Sequence, residues 1–115
     1  MSYRIETTAT FDKEYKRLAK RYPSLKQDLI DLARELQDNP EIGVDLGRRL
    51  RKVRLAIASK GRGKSGGARV ITLKTDAIVR IDEGIVTLIT MYDKAEINSI
   101  SSRELDRILK NSDLK

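Results

Sequence analysis

The 115-residue chain contains no cysteine, no histidine and no tryptophan, and only one phenylalanine and two prolines. Without cysteine there are no disulfides, no thiolate metal sites and no thiol nucleophile. Without histidine there is no material for a His-ligated zinc hydrolase, a Ser-His-Asp triad or a His-pair ribonuclease. Acid–base chemistry must come from Lys, Arg, Tyr, Asp or Glu. No run approaches the roughly 20 apolar residues of a membrane span, and the N-terminal MSYRIETTATF has no apolar segment of signal-peptide length. A soluble, cytoplasmic protein with no membrane association is expected. The length suits a single domain, residues 1–115.

What the chain does have is charge. Lys and Arg number 24 against 17 Asp and Glu, a formal net charge of +7. Its distribution is uneven. Residues 1–47 carry eight basic and nine acidic residues, and residues 75–115 carry six and eight. Residues 48–74 carry ten basic residues and no acid. Charge concentrated in this way suits a surface for a polyanion. The competing reading is a solvated basic face or tail. The mid-chain position of the block, and the apolar residues threaded through it at strand spacing, weigh against that.

Residues 2–8 alternate and read as a short strand. Phe11, Tyr15, Leu18 and Tyr22 form the stripe of a helix, which Pro23 ends. Ser24 with Gln27 has capping-box spacing and opens a second helix, striped by Leu25, Leu29, Leu32 and Leu36 and closed at Asn39-Pro40. A short link between them predicts an antiparallel helical hairpin. Residues 41–47 read as a loop. In RLRKVRLAIA the period changes to 2: Val53, Leu55 and Ile57 share one parity, Lys52 and Arg54 the other, so one face packs and the other presents cations. SKGRGKSGG reads as a basic loop, ARVITLK and DAIVRI as strands, Asp82-Glu83-Gly84 as a hairpin turn, and IVTLITMY as a central strand covered on both faces. Ser101 or Ser102 caps a last helix carrying Leu105, Ile108 and Leu109. The expected fold is α+β, in the order β-α-α-β-β-β-β-α, with an antiparallel sheet and helices grouped on one face.

GRGKSGG has the end of a phosphate-binding P-loop, but Ala58 stands where its first glycine belongs and a strand follows. A nucleotide-binding loop is therefore not expected. A loop with four glycines in seven residues can still bring backbone N–H groups to phosphate, or can serve as a plain hairpin loop. Lys52 and Arg54 on one strand, Arg69 on the next, and Tyr92 and Lys94 at the end of the last strand can converge if the strands are neighbours. RNA cleavage through the 2′-hydroxyl needs a base, cations for the phosphate charge, and an acid for the leaving oxygen. Crowded cations favour a neutral lysine, arginine grips phosphate with two donors, and tyrosine can stack on a base or donate a proton. Structural alternatives are a core role for Tyr92, with its hydroxyl at the rim, and pairing of Lys94 with Asp93 or Glu96. Five further cations of the block, Arg51, Lys60, Arg62, Lys64 and Lys74, are expected on RNA.

RKVRLAIASKGRGKSGGARVI followed by LITMYDKAEINSIS, with YPSLKQDL and LQDNP before them, resembles the RelE superfamily of bacterial toxins and within it the HigB-like branch. The resemblance runs from about Phe11 to Leu109. It implies a microbial ribonuclease-like fold and an endonuclease that cuts mRNA in the ribosomal A site without a metal or other cofactor. It also implies a cognate antitoxin as partner, and as assembly either a homodimer or a toxin–antitoxin heterotetramer. The family's basic catalytic positions match Lys52, Arg54, Arg69 and Lys94. A residue that often assists near the C-terminus falls at Ile100, which has no acid–base chemistry, so Tyr92 is the substitute or cations act alone. Two alternatives share the fold: a ParE-like inhibitor of DNA gyrase, which does not need the cations to converge, and a non-catalytic RNA- or antitoxin-binding module.

Overall fold

The computed structural model describes residues 3–61, 63, 66–76, 84–97 and 99–111. It is an α+β fold in which, among the described residues, three α-helices flank a five-stranded mixed sheet. Helix α1 spans Ala9–Arg21 and buries Phe11 and Leu18. Its N-cap, Thr8, accepts the Phe11 N–H through its hydroxyl (3.0 Å) and donates the same hydroxyl to the carbonyl of Ile89 (2.6 Å). One side chain thus starts the helix and pins it to the sheet. Helix α2, Leu25–Asp38, buries Leu25, Leu32 and Leu36. The expected capping box at Ser24 does not form. Ser24 sits in the helical region of backbone space (φ −82°, ψ −6°), not the extended one from which a cap reaches back, and it donates instead to Asp28 at 2.7 Å. Helix α3, Ser102–Asn111, is capped as expected: the Glu104 N–H donates to the Ser101 hydroxyl at 3.1 Å.

The strands are β1 (Arg4–Thr7), β2 (Val44–Gly47), β3 (Leu50–Leu55), β4 (Ala68–Asp76) and β5 (Gly84–Asp93), in the spatial order β1-β5-β4-β3-β2. From β2 to β5 each strand is antiparallel to the next, but β1 runs parallel to β5, so the sheet is not the purely antiparallel one expected. The parallel pairing is possible because nearly the whole chain lies between its two strands, far more than a parallel crossover requires. Strand β4 is central. Strand β5 lies beside it and is buried on both faces from Val86 to Asp93. Residues 41–47 are not all loop: Val44–Gly47 pair with β3 through a two-residue turn at Arg48-Arg49. Most of DAIVRI and the Asp82-Glu83 turn lie outside the described residues.

Helices also divide between the two faces instead of sharing one. Phe11, Leu18, Leu25, Leu32 and Leu36 pack with Val53, Leu55, Val70, Val86 and Met91. Leu105 and Ile108 of α3 pack with Leu50, Ile71 and Ile89, the opposite set. The far face carries its own apolar residues and needs its own cover. Among the described residues no helix is long and apolar enough to cross a membrane.

Candidate functional site

Registration of β3, β4 and β5 builds a row of polar side chains across the α3 face. Arg54 lies opposite Arg69, and Arg69 lies opposite Tyr92. Directly opposed residues share a face, with Cα atoms about 4.5–5.5 Å apart. Lys52, two residues from Arg54, is on the same face and diagonal to Arg69, about 7–8 Å away. Like charges placed opposite one another across a sheet are destabilising; Arg54, at the rim, also lines a small cleft with Asp28, Asp31 and Glu35 of α2.

The row is graded in depth. Arg54 is exposed, Lys52 is half-buried, and Arg69 is 6% exposed. No ion pair or side-chain hydrogen bond joins Lys52 or Arg54 to another described residue. Arg69 donates to the carbonyl of Ala68 at 3.1 Å. Tyr92 is only 3% exposed. Burial raises its hydroxyl above the usual phenol value, against the opposing pull of Arg69 and of a backbone hydrogen bond from Ile100, and it is protonated at neutral pH. With its ring covered, Tyr92 has no face to offer a base, and the stacking role expected of it is not what the structure shows. Lys94 is half-buried just beyond β5, and its N–H continues the ladder to the carbonyl of Gly67 at 3.1 Å.

Tyr92 reaches this row through a bulge. Val86 and Leu88 face the α1–α2 side, and strict alternation would send Tyr92 there too. Between Ile71↔Thr90 and Thr72↔Leu88 the register shifts, leaving Ile89 as the extra residue. Met91 then takes the α1–α2 side and Tyr92 the cationic side.

Asp93, next in the chain, turns to the α1–α2 side and is fully buried. Its carboxylate accepts from Lys60 Nζ at 2.6 Å, the Tyr22 hydroxyl at 2.5 Å and the Ala95 N–H at 2.9 Å, with Arg21 at 3.4 Å. Burial would raise this acid, but the hydrogen bonds from Lys60, Tyr22 and Ala95 overrule it and hold it down at about 2. Lys60 Nζ also donates to the carbonyls of Gly66 (2.9 Å) and Gly67 (3.3 Å). One ammonium therefore fastens the end of the basic loop to the end of β5. Sequence reasoning gave neither residue this role. A lone acid at the end of an apolar strand was the available signal, because a buried charge needs a partner.

Lys60 is consequently not an RNA contact: its side chain is 8% exposed and committed to Asp93. Arg51 and Lys74 are not in the row either. Arg51 shares the parity of Val53, and Lys74 that of Val70, so both belong to the α1–α2 face. Arg51 donates to the carbonyl of Gly43 at 3.1 Å; Lys74 pairs with Glu41 at 2.8 Å and lies over the Tyr3 ring. Arg62 and Lys64 lie outside the described residues. Glu96, the other nearby acid, binds Arg17 and Arg21 at 2.8 and 2.9 Å. A groove of about 500 Å³ runs beside the row, between α1, the end of β5 and α3, and shares Tyr92 with it.

Comparison with known protein families and with curated proteins finds no match to the chain.

Proposed function

We propose that this chain is a metal-independent endoribonuclease that cuts mRNA in the ribosomal A site, the toxin of a toxin–antitoxin pair of the RelE and HigB kind. The observation that carries this reading is the opposed pair Arg54 and Arg69, with Lys52 on its diagonal. The family resemblance of the KVR strand, the GKSGGAR loop and the YDKAE segment supports it.

In this reading Arg54 and Arg69 grip the scissile phosphate with paired donors. Lys52 is the general base that takes the proton of the 2′-hydroxyl, and the oxygen attacks phosphorus. The new 2′-O–P bond forms as the bond to the 5′-oxygen breaks, and Lys94 returns a proton to that leaving oxygen. Two guanidiniums stabilise the extra charge on the pentavalent phosphorus. Tyr92 is a positioning residue: protonated and buried, it packs beside Arg69 without adding a negative charge. The Asp93–Lys60 pair holds Gly66 and Gly67 at the end of β5.

The test uses the exposed or half-buried positions, where truncation leaves the core intact. Wild type, Lys52→Ala and Arg54→Ala are expressed with and without ribosomes, and transcript 5′ ends are mapped. Ribosome-dependent cuts that fall by at least tenfold in both variants, with unchanged circular dichroism, are expected. Intact transcripts accompanied by gyrase-linked DNA breaks would overturn the proposal in favour of a gyrase inhibitor.

A further inference from the structure

A second cationic cluster lies at the other end of β3, on the opposite face. The turn between β2 and β3 has two central residues, Arg48 and Arg49, at φ 55° and 66°. Two-residue turns with positive φ at both positions favour Asn-Gly, whose backbones take that conformation readily. Arginine does not, and side chains that keep a strained backbone mark functional positions. Both are held there: the Arg49 carbonyl accepts the Lys74 N–H at 3.2 Å, and Arg48 is paired with Asp106 of α3.

Beneath the turn is a cleft of about 320 Å³ lined by Glu41, Asp45, Arg48, Arg49, Arg51 and Lys74. Its acids are occupied: Glu41 binds Lys74, and Asp45 accepts the Gly47 N–H at 2.7 Å. Two of its donors are not. Arg49 has no hydrogen-bond or ion-pair partner through its side chain among the described residues. Arg51 is fixed through its hydrogen bond to Gly43, yet its Nε is buried with no acceptor. A donor taken out of water without an acceptor is costly, and this one lies in a cleft with a cation excess.

We infer that the cleft under the Arg48–Arg49 turn is a second phosphate site, which binds an RNA phosphodiester other than the one cleaved. Arg49 offers its whole fork and Arg51 the Nε–H, an arrangement suited to a tetrahedral oxyanion approached from two sides. Arg51 and Arg49 lie about 10 and 17 Å along the chain from Arg54, and their parity puts them on the other face, so one phosphate cannot occupy both. The inference rests on the proposed function only for RNA as the source of the phosphate.

The arginine Nε–Hε signals of the whole chain, followed by NMR during titration with inorganic phosphate and separately with a short single-stranded RNA, test it. Arg49 and Arg51 signals are expected to move with both ligands, also in a Lys52→Ala/Arg54→Ala variant. In Arg49→Gly, RNA affinity falls about tenfold, the effect of one charge-assisted contact, and the salt slope drops by about one. The melting temperature of Arg49→Gly stays level or rises, because glycine takes a positive φ freely; a purely structural arginine would give a fall. Unmoved signals, or phosphate-induced shifts with unchanged RNA affinity, overturn the site. Wild-type protein that cuts no transcript while these shifts persist sinks only the nuclease reading.

Discussion

Replacing Asp93 by Asn removes one negative charge from the interior and leaves its shape in place. Lys60 Nζ then stays 8% exposed, with two glycine carbonyls but no counter-ion. Removing one partner of a buried pair costs about 3–5 kcal/mol, because the remaining charge is uncompensated. A domain of this size has about 5–15 kcal/mol of stability in total. The variant should therefore melt roughly 12–30 °C lower, at about 4–6 °C per kcal/mol. The Tyr22 hydroxyl, 2.5 Å from the carboxylate, can still donate to the amide oxygen, which keeps the loss toward the lower end. Urea unfolding of Asp93→Asn, Lys60→Met and the double variant measures the coupling between the two groups. The double variant should lose much less than the two single losses combined. Asp93→Asn within about 1 kcal/mol of wild type, or single losses that add to within about 0.5 kcal/mol, would refute the view of this pair as one buried unit.

The same carboxyl sets an acid limb. Its folded value of about 2 lies below the ordinary 3.8, so its contribution, about 2 kcal/mol, is fully present above about pH 5 and is lost as pH falls through 3.8 toward 2. Urea midpoints between pH 6 and 2 should show this fall in wild type and a flatter curve in Asp93→Asn. Gly67→Ala should be severely destabilising, by about 2 kcal/mol or more, because a Cβ there would stand 2.0 Å from the carbonyl oxygen of Leu55; a melting temperature within two degrees of wild type would contradict the close approach of loop and strand.

Much of the architecture was legible because its signals are local. The stripes of Phe11 and Leu18, and of Leu25, Leu32 and Leu36, gave both helices of the first pair, and the alternation of Val53 and Leu55 against Lys52 and Arg54 gave both faces of β3. Strand β2 was missed because EIGVDLG has no sustained alternation and the turn after it carries Arg-Arg where glycine or asparagine is the usual mark. The side taken by Tyr92 was not legible, since β5 is apolar on both parities and a bulge at Ile89 decides it. Arg51 and Lys74 had the parity of the packed face, and that local signal outranks membership of a basic block. Lys60 could be recognised only through Asp93, a partner 33 residues away.

The pairing of β1 with β5 has a consequence for how the chain acquires its shape. Arg4 finds its sheet partner at Ile85, so the first strand has no neighbour until the last one exists. At about 5–20 residues per second of synthesis, that wait is several seconds to a quarter of a minute. During it the β1 backbone and the inner edge of the sheet are both open to other strands. Truncation before β5 should leave an assembly-prone fragment, not a smaller native protein.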